Sequence, residues 1–475
     1  MKAWKNYWVW IVAVFLVGLF WWLRFNNIGT SLFYFNDMGR DLLVLQDWME
    51  TGKPPLLGPQ TSSLPINQSA IYFYLLMPGF LLFNGSPMAL LYTNAFIYIS
   101  FFLGGLWFLR GNKKMQMALL GFFLLVTISP QYIIQSRFVW NPSFTTPLLA
   151  TALISFYLLT QKFSQKLMIV FVATLAIAIS FSYSMAPAFI GIFIFLVLFW
   201  KTNRLKTVLA EMLALIVVNL PTIAFELKHQ FLLTSSLFTR GVTPQQAENI
   251  SMTAKFSSLF GYGLAINREL LIGAILILAA ILLWYGRKKE NPELNFFSKL
   301  LFLTVLITFI VPLTIHSHYI FGFTTLLFLC IASLPRWPKI LVLLVLSSFY
   351  LTPSRLSAYF KPAIRTYEQM TQCFDTVCKE IKEPIFESVQ AGFHPYHNGP
   401  EHRVMMKQAG CQVKYIENEP SSASLMAVVL DNSTFELGKT SYNELTLFGK
   451  AKEIKRYNCQ ENFQVVVLEK DQAMK

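Results

Sequence analysis

The sequence predicts a polytopic α-helical membrane protein with a soluble α/β domain at its C-terminal end, and three observations support this. Of the 475 residues, 55% are hydrophobic and 13% are charged, whereas an ordinary soluble domain is about 25% charged. Uncharged runs long enough to cross a bilayer recur between residues 7 and 352. The remaining residues are rich in charge and combine helix and strand patterns.

Eleven apolar runs are candidate membrane spans, because roughly 17–25 apolar residues cross the hydrocarbon core. They are 7–23, 87–109, 115–133, 143–160, 167–183, 185–200, 207–225, 269–286, 299–315, 319–334 and 339–352. Clusters of Lys and Arg recur between pairs of runs, and the positive-inside rule places these clusters in the cytoplasm. An odd number of crossings predicts a cell (inner) membrane protein with a cytoplasmic N-terminus and an extracytoplasmic C-terminus.

The predicted organisation is a transmembrane domain over residues 1–352, with an external loop at 24–86, followed by an extracytoplasmic α/β domain over 353–475. The net charge is +14, but residues 353–475 hold fifteen Lys and Arg against fifteen Asp and Glu. The positive excess therefore lies in the membrane domain, where it orients the helices. No basic patch with interleaved aromatic residues is present, so membrane lipids and not nucleic acid are the expected partners.

The predicted C-terminal domain contains two helices, at 366–382 and 401–410, and strands in "CQVKYIE", "LMAVVLD" and "FQVVVLE". It also holds four of the five cysteines, which are Cys373, Cys378, Cys411 and Cys459. In an oxidising compartment an even set predicts one or two disulfides, with three possible pairings. Four buried free thiols are the alternative.

The external loop contains the stretch "FNDMGRDLLVLQDWMETGKPPLLGPQTS" (35–62). From Asp37 its pattern predicts an amphipathic helix on the membrane surface, and Asp37, Arg40 and Asp41 share one polar face at i, i+3 and i+4. A turn rich in Gly and Pro follows. The apolar run 70–83 is interrupted by Pro78, which predicts a second interfacial helix or a re-entrant piece. Charges beside a bilayer are costly unless they are used or hydrated.

These residues carry a resemblance to a known family. The stretch 35–62, the turn "SRFVWNPS" (136–143) and "FELKHQFLLT" (225–234) are similar to the external segments of GT-C fold membrane glycosyltransferases. The similar enzymes are of the RgtA/B/C/D-like, protein-mannosyltransferase-related type, and the resemblance covers most of residues 1–350. It implies an inverting hexosyl- or pentosyltransferase. Such an enzyme moves a sugar from a polyprenyl-phosphate carrier to a glycolipid, polysaccharide or protein acceptor at the outer face.

The resemblance also implies site residues. Asp37 would be the catalytic base and Asp41 a second carboxylate, and the two could hold a divalent cation such as Mg²⁺ or Mn²⁺. A carboxylate suits the removal of a hydroxyl proton, and a cation suits the departing phosphate. Arg137 is the first candidate for the phosphate. Arg40, Lys228 and His229 are the second candidates for the phosphate, and Lys53 could be a phosphate contact or a solvated lysine. Trp140, Tyr72 and Tyr74 could stack on sugar rings.

Other interpretations remain open at this point. Asp37 could cap the surface helix, Asp41 could only pair with Arg40, and Arg137 could snorkel to lipid head groups. "LPINQSA" (64–70) and Phe181-Ser182-Tyr183 depart from the pattern of relatives, which leaves a non-catalytic assembly protein possible. A transporter or flippase of a lipid-linked substrate is another alternative. No internal repeat is visible in the sequence, however, and the notable charges lie at the outer interface and not at the midplane.

Overall fold

The structure is a computed structural model that describes residues 7–61, 66–200, 203–240, 251–265, 268–286, 290–310, 315–317, 319–392, 398–437 and 443–471. It is helical as far as residue 360 apart from one short hairpin, and a mixed sheet lies in the C-terminal part. The helices up to residue 161 are α1 (Tyr7–Phe25), α2 (Ile28–Ser31), α3 (Asp37–Thr51), α4 (Ile71–Leu82), α5 (Met88–Phe108), α6 (Lys113–Ile128), α7 (Pro130–Arg137) and α8 (Thr145–Gln161).

The next eleven helices are α9 (Gln165–Phe181), α10 (Ala186–Phe199), α11 (Arg204–Val218), α12 (Leu220–Lys228), α13 (Leu232–Arg240), α14 (Met252–Leu264), α15 (Arg268–Gly286), α16 (Pro292–Ile310), α17 (Phe321–Ala332), α18 (Arg336–Tyr350) and α19 (Pro353–Phe360). The C-terminal helices are α20 (Tyr367–Glu380), α21 (Pro400–Gln408) and α22 (Asn443–Phe448). The strands are β1 (Leu57–Gln60), β2 (Asn67–Ser69), β3 (Ile385–Ala391), β4 (Val413–Lys414), β5 (Leu425–Asp431), β6 (Ala451–Gln460) and β7 (Phe463–Lys470).

The chain divides into two compact units. The helical unit comprises the residues up to Asn26, Pro54–Gly79 and Leu91–Ala358, and the second unit comprises Asn27–Lys53, Phe80–Leu90 and Tyr359–Lys475. The second unit therefore joins two pieces of the predicted external loop, including α3, to the C-terminal region. The predicted domain boundary between residues 352 and 353 does not anticipate this grouping.

Each of the eleven predicted apolar runs contains a helix, although residues 311–314 of the run 299–315 lie outside the described residues. Within the described ranges, four helical segments are long and apolar enough to cross a membrane singly, and they are Tyr7–Phe25, Met88–Gly111, Asn141–Gln161 and Pro292–Ile310. Three bent pairs, α6–α7, α11–α12 and α18–α19, raise that number to as many as seven. Eleven crossings therefore stay a prediction.

Proline accounts for the three bends. The pairs bend by 65°, 61° and 55°, and the second helix of each pair has a proline in its first turn, namely Pro130, Pro221 and Pro353. Proline has no N–H and disfavours the helical conformation in the residue before it, so a helix ends there and a new one begins.

The predicted interruption of the run 70–83 is wrong. Helix α4 continues from Ile71 to Leu82 with Pro78 inside it. A helix of 12 residues is about 18 Å long and is too short for the roughly 30 Å of a hydrocarbon core. The length of α4 therefore agrees with the expectation that this run does not cross the membrane fully.

The second unit contains a five-stranded sheet with the order β4-β3-β5-β7-β6. Strand β3 pairs in parallel with β4 and β5, whereas β7 pairs antiparallel with β5 and β6. One face of the sheet forms an apolar core that includes Phe386, Met426, Val428, Val466 and Leu468. Both predicted helices and all three predicted strands are present, but β3 and β6 are strands that the sequence pattern does not predict.

Two disulfides pair the four cysteines of this region. Cys373 bonds Cys459, which links α20 to β6, and Cys378 bonds Cys411, which links α20 to the residue just beyond the Gly410 turn after α21. Their Cα atoms are 5.4 and 4.9 Å apart, within the range that disulfides require. Cys330 is a free thiol buried in α17.

Loss of the Cys378–Cys411 bond should destabilise the C-terminal region. A crosslink across 33 residues contributes about 4 kcal/mol by restricting the unfolded chain. Cys378→Ser/Cys411→Ser should therefore become protease-sensitive at a lower urea concentration, as measured by pulse proteolysis in detergent. Cys330→Ala, which leaves both crosslinks intact, is the control, and equal urea midpoints for all three proteins would contradict the assignment.

Candidate active site

Three charged side chains meet in the first two turns of α3. Nη1 of Arg40 lies 2.5 Å from Oδ1 of Asp37, and Nε and Nη2 of Arg40 donate to Oδ1 of Asp41 at 2.9 and 2.7 Å. Asp41 is fully buried, whereas the side chains of Asp37 and Arg40 are 22% and 31% exposed. The guanidinium thus bridges one buried carboxylate and one accessible carboxylate, and its contact with Asp37 has the predicted i, i+3 spacing.

Asp37 does not cap the helix. The N-cap is Asn36, which has φ 35° and ψ −92° and makes no side-chain capping hydrogen bond, and Asp37 is the first helical residue. Arg40 holds Oδ1 of Asp37, and no described residue donates a hydrogen bond to its Oδ2. The unpaired N–H groups of a helix N-terminus favour a carboxylate at this position. Asp37 is therefore an ionisable group with one fixed oxygen and one open oxygen, which suits a proton acceptor.

A buried acid from the C-terminal region lies against this end of α3. Oε2 of Glu401, in the first turn of α21, accepts a hydrogen bond from the backbone N–H of Asn36 at 3.1 Å. Sequence reasoning missed Glu401, because 365 positions separate it from Asn36. The one local signal was Gly39, since a glycine inside a helix often marks a close approach.

Ion pairs join the C-terminal end of α3 to helix α21. Nζ of Lys407, in the last turn of α21, lies 2.9 Å from Asp47 and 3.1 Å from Glu50. Burial works against the charged form of Lys407, but the hydrogen bonds to these carboxylates raise its pKa above the ordinary value. Helices α3 and α21 are therefore joined at both ends by polar contacts.

A divalent cation held by Asp37 and Asp41 stays a prediction, and two observations weigh against it. Arg40 contacts both carboxylates and so supplies the positive charge that a metal ion would bring. Within the described residues, no three His, Cys, Asp or Glu side chains come together in a group that could hold a metal. A hard divalent cation takes six or more oxygen ligands, with water completing the set.

Lys53 and the contact of Tyr74 lie at the start of the proline turn. Lys53 is exposed and follows Gly52, whose φ of +67° ends α3 in a left-handed conformation. The hydroxyl of Tyr74 donates to the carbonyl oxygen of Pro55 at 2.8 Å, so this side chain anchors the turn to α4. Lys53 thus remains an accessible cation.

The predicted stacking role of Tyr72 needs correction. Tyr72 is fully buried, and its ring packs edge to face against Phe144 and Phe181 at centroid distances of 5.8 and 5.6 Å. A sugar ring would have to displace these aromatic neighbours. Tyr72 therefore belongs to the core of the helical unit.

Hydrogen bonds within the helical unit hold Arg137 and Trp140. Nη1 of Arg137 donates to the carbonyl oxygens of Arg24 and Asn26 at 3.0 and 3.2 Å, at the C-terminal end of α1. A cation is stabilised at such an end, so Arg137 is anchored to backbone carbonyls. Nε1 of Trp140 donates to Oε1 of Gln135 at 2.5 Å.

Lys228 and His229 lie at the end of α12, and both are exposed. The imidazole of His229 stacks on the ring of Phe225 at 4.3 Å. Of the ten predicted site residues, the structure thus brings Asp37, Arg40 and Asp41 into direct contact. Tyr72, Tyr74, Arg137, Trp140, Lys228 and His229 belong to the helical unit.

No family model matches this sequence, and no curated protein matches it. Two solved structures are similar to it over nearly their whole length. ArnT from Cupriavidus metallidurans bound to undecaprenyl phosphate has a TM-score of 0.61 and 11% identity, with 98% of this chain and 99% of that chain covered. ArnT from the same organism in the apo state has a TM-score of 0.59 and 11% identity, with 97% of each chain covered. Together with its apolar helices, this likeness shows that the chain is a polytopic membrane protein with the GT-C fold.

Proposed function

We propose that this chain is an inverting glycosyltransferase that moves a sugar from a polyprenyl-phosphate carrier to an acceptor at the outer face of the membrane. The observation that carries the proposal is the likeness along the whole chain to ArnT, whose structure was solved with undecaprenyl phosphate bound. Because one fold can serve several functions, the proposal also needs a reactive group. The accessible carboxylate of Asp37 at the start of α3 supplies it.

The proposed chemistry is one displacement. An acceptor hydroxyl attacks the anomeric carbon on the face opposite the phosphate, and Oδ2 of Asp37 takes the hydroxyl proton. The bond between the anomeric carbon and the phosphate oxygen breaks, and its electron pair leaves on the polyprenyl phosphate. Arg40 orients Asp37 through its contact with Oδ1. The same displacement can transfer either a hexosyl or a pentosyl group.

A cation is needed beside the departing phosphate. Arg137 remains the first candidate, and its anchoring to the end of α1 would fix its position. The accessible cations Lys53 and Lys228 are the other candidates. Trp140, which is half-buried, is the candidate for stacking against the sugar.

Two features support an extracytoplasmic C-terminal region. Its four cysteines are paired, and disulfides persist in oxidising compartments outside the cytoplasm. The positive-inside distribution of Lys and Arg predicts the same orientation. Asp37 belongs to the same compact unit, so the reaction would take place on that side of the membrane.

The direct test is incubation of the purified protein with a panel of radiolabelled polyprenyl-phosphate sugars and envelope acceptors. We expect transfer of one sugar with inversion of the anomeric configuration, read by NMR of the product. EDTA should leave the rate unchanged within about twofold, because Arg40 supplies the charge between the carboxylates. Movement of the lipid-linked sugar across a vesicle without a new glycosidic bond would favour a flippase and contradict the proposal.

A further inference from the structure

We infer that Glu401 is a positioning residue for Asp37, so that the C-terminal region fixes the geometry of the base. The inference rests on the proposed function. In the capping box of an isolated helix, a Glu or Gln at the third helical position accepts a hydrogen bond from the N-cap N–H. In α3 the third position is Gly39, which has no side chain. The carboxylate that accepts from the N-cap N–H of Asn36 comes instead from Glu401.

The backbone of α3 needs this support. Asn36 has φ 35° and ψ −92°, a conformation outside the regions that non-glycine residues ordinarily adopt. Such conformations persist where the surroundings fix them. The hydrogen bond from Glu401 is made at this residue, and Asp37 is the next one. The direction in which the Asp37 carboxylate points therefore depends on Glu401.

Gly39 lets the two segments approach. A Cβ atom at position 39 would overlap the backbone N and Cα atoms of Glu401 and lie 2.7 Å from its Cβ. Glycine within a helix costs about 1 kcal/mol relative to alanine. Its presence between Asp37 and Arg40 is therefore explained by this contact and not by helix formation.

Glu401 is itself held rigidly. It is fully buried, and its Oε1 lies 3.4 Å from Nη2 of Arg365, which is buried too. Nε of Arg365 also pairs with Asp431, at the end of β5. Oε1 of Glu401 thus contacts Arg365, and Oε2 contacts the start of α3. The Cys378–Cys411 bond fastens the chain just beyond α21 to α20.

The expected signature is a change in turnover without a change in binding. A small misplacement of a reacting group can cost about 100-fold in rate. Glu401→Ala should lower kcat by about 10- to 100-fold and leave KM for the donor within about twofold, because Glu401 is fully buried against the start of α3 and is not accessible to a substrate. Glu401→Gln, whose amide oxygen can still accept from Asn36 although its NH2 group loses the contact with Arg365, should keep kcat within about threefold.

The experiment compares these two variants with Lys407→Ala, which removes the contact at the far end of α3. Backbone amide exchange of residues 36–41 should speed up in Glu401→Ala alone among the three. If Glu401 had a purely structural role, Lys407→Ala would lower kcat as much as Glu401→Ala does. Glu401→Gln would then also have a kcat as low as that of Glu401→Ala. Either result, or wild-type kcat in Glu401→Ala, would overturn the inference.

Gly39→Ala provides a second test that does not depend on the folding of Glu401→Ala. It should lower kcat at least about tenfold, whereas Gly29→Ala, where a Cβ meets nothing within 4 Å, should not. Equal activity of the two glycine variants would refute the close-contact argument. If the wild-type protein transfers no sugar from any donor, the proposed function fails. Amide exchange of residues 36–41 then still shows whether the hydrogen bond from Asn36 to Glu401 stabilises the start of α3.

Discussion

Asp37→Asn should lower kcat for sugar transfer by about 1000-fold, within the range that general-base catalysis supplies. Asparagine keeps the shape of the side chain, and its oxygen can still accept the hydrogen bond from Arg40. It cannot take a proton from the acceptor hydroxyl. The measurement is single-turnover transfer from the sugar donor identified in the panel, with saturating acceptor.

Asp47→Asn is the matched control, because Asp47 lies on the same helix and is half-exposed in a contact with Lys407. It should retain transfer within about threefold, and both variants should show the same amount of folded protein in membranes. Full transfer by a folded Asp37→Asn protein would remove Asp37 from the proposed mechanism. Loss of transfer in both variants would mean that any change of charge on α3 is harmful.

Arg40→Met should strongly destabilise the unit that contains α3. It leaves the fully buried carboxylate of Asp41 without the guanidinium that contacts it through two nitrogens. Breaking such a pair costs about 3 kcal/mol, the lower end of the range, because Arg40 is 31% exposed. The urea concentration at which half of the second unit becomes sensitive to protease should therefore fall.

The double variant Arg40→Met/Asp41→Leu identifies the cause. Replacing both charges by apolar side chains of similar size removes the unpaired carboxylate, and it should recover most of the lost stability. Asp41→Leu alone completes the double-mutant cycle. If the double variant is as unstable as Arg40→Met, the loss comes from packing of the arginine stem and not from an unpaired charge.

Most of the helical fold follows from local patterns. Long apolar runs and the i, i+3, i+4 arrangement of charges at Asp37 predicted the helices and α3, because both depend on residues near one another in sequence. The prolines in the first turns of α7, α12 and α19 bend three of these segments. Pro78 does not interrupt α4, which shows that proline in an apolar helix is a weak boundary signal.

The missed strands have physical reasons. Strand β3 carries Glu387, Ser388 and Gln390, all of them buried. Burial raises the pKa of Glu387 to about 8, although Arg403 at 2.7 Å acts in the opposite direction. Polar residues of this kind conceal the apolar pattern of a central strand. Strand β6 is an exposed edge strand with several charged residues, and charges of this kind protect an edge from aggregation.

The candidate site was only partly predictable, because some of its contacts join residues that are far apart in the sequence. Asp37, Arg40 and Asp41 are neighbours on one helix, so their contact could be inferred from spacing. Glu401 reaches α3 only through the tertiary fold, and no periodicity links the two segments. Tyr72 has the composition of a sugar-stacking residue, but its exposure is decided by Phe144 and Phe181 from other helices.

The 365 positions between Asn36 and Glu401 impose an order on biogenesis. At about 5–20 residues per second, translation completes Glu401 roughly 20–70 s after Asn36. Until then α3 lacks the partner that orients its first residue. A nascent or truncated chain would thus hold an incomplete centre, and activity would begin only after the last segment had been exported, folded and oxidised.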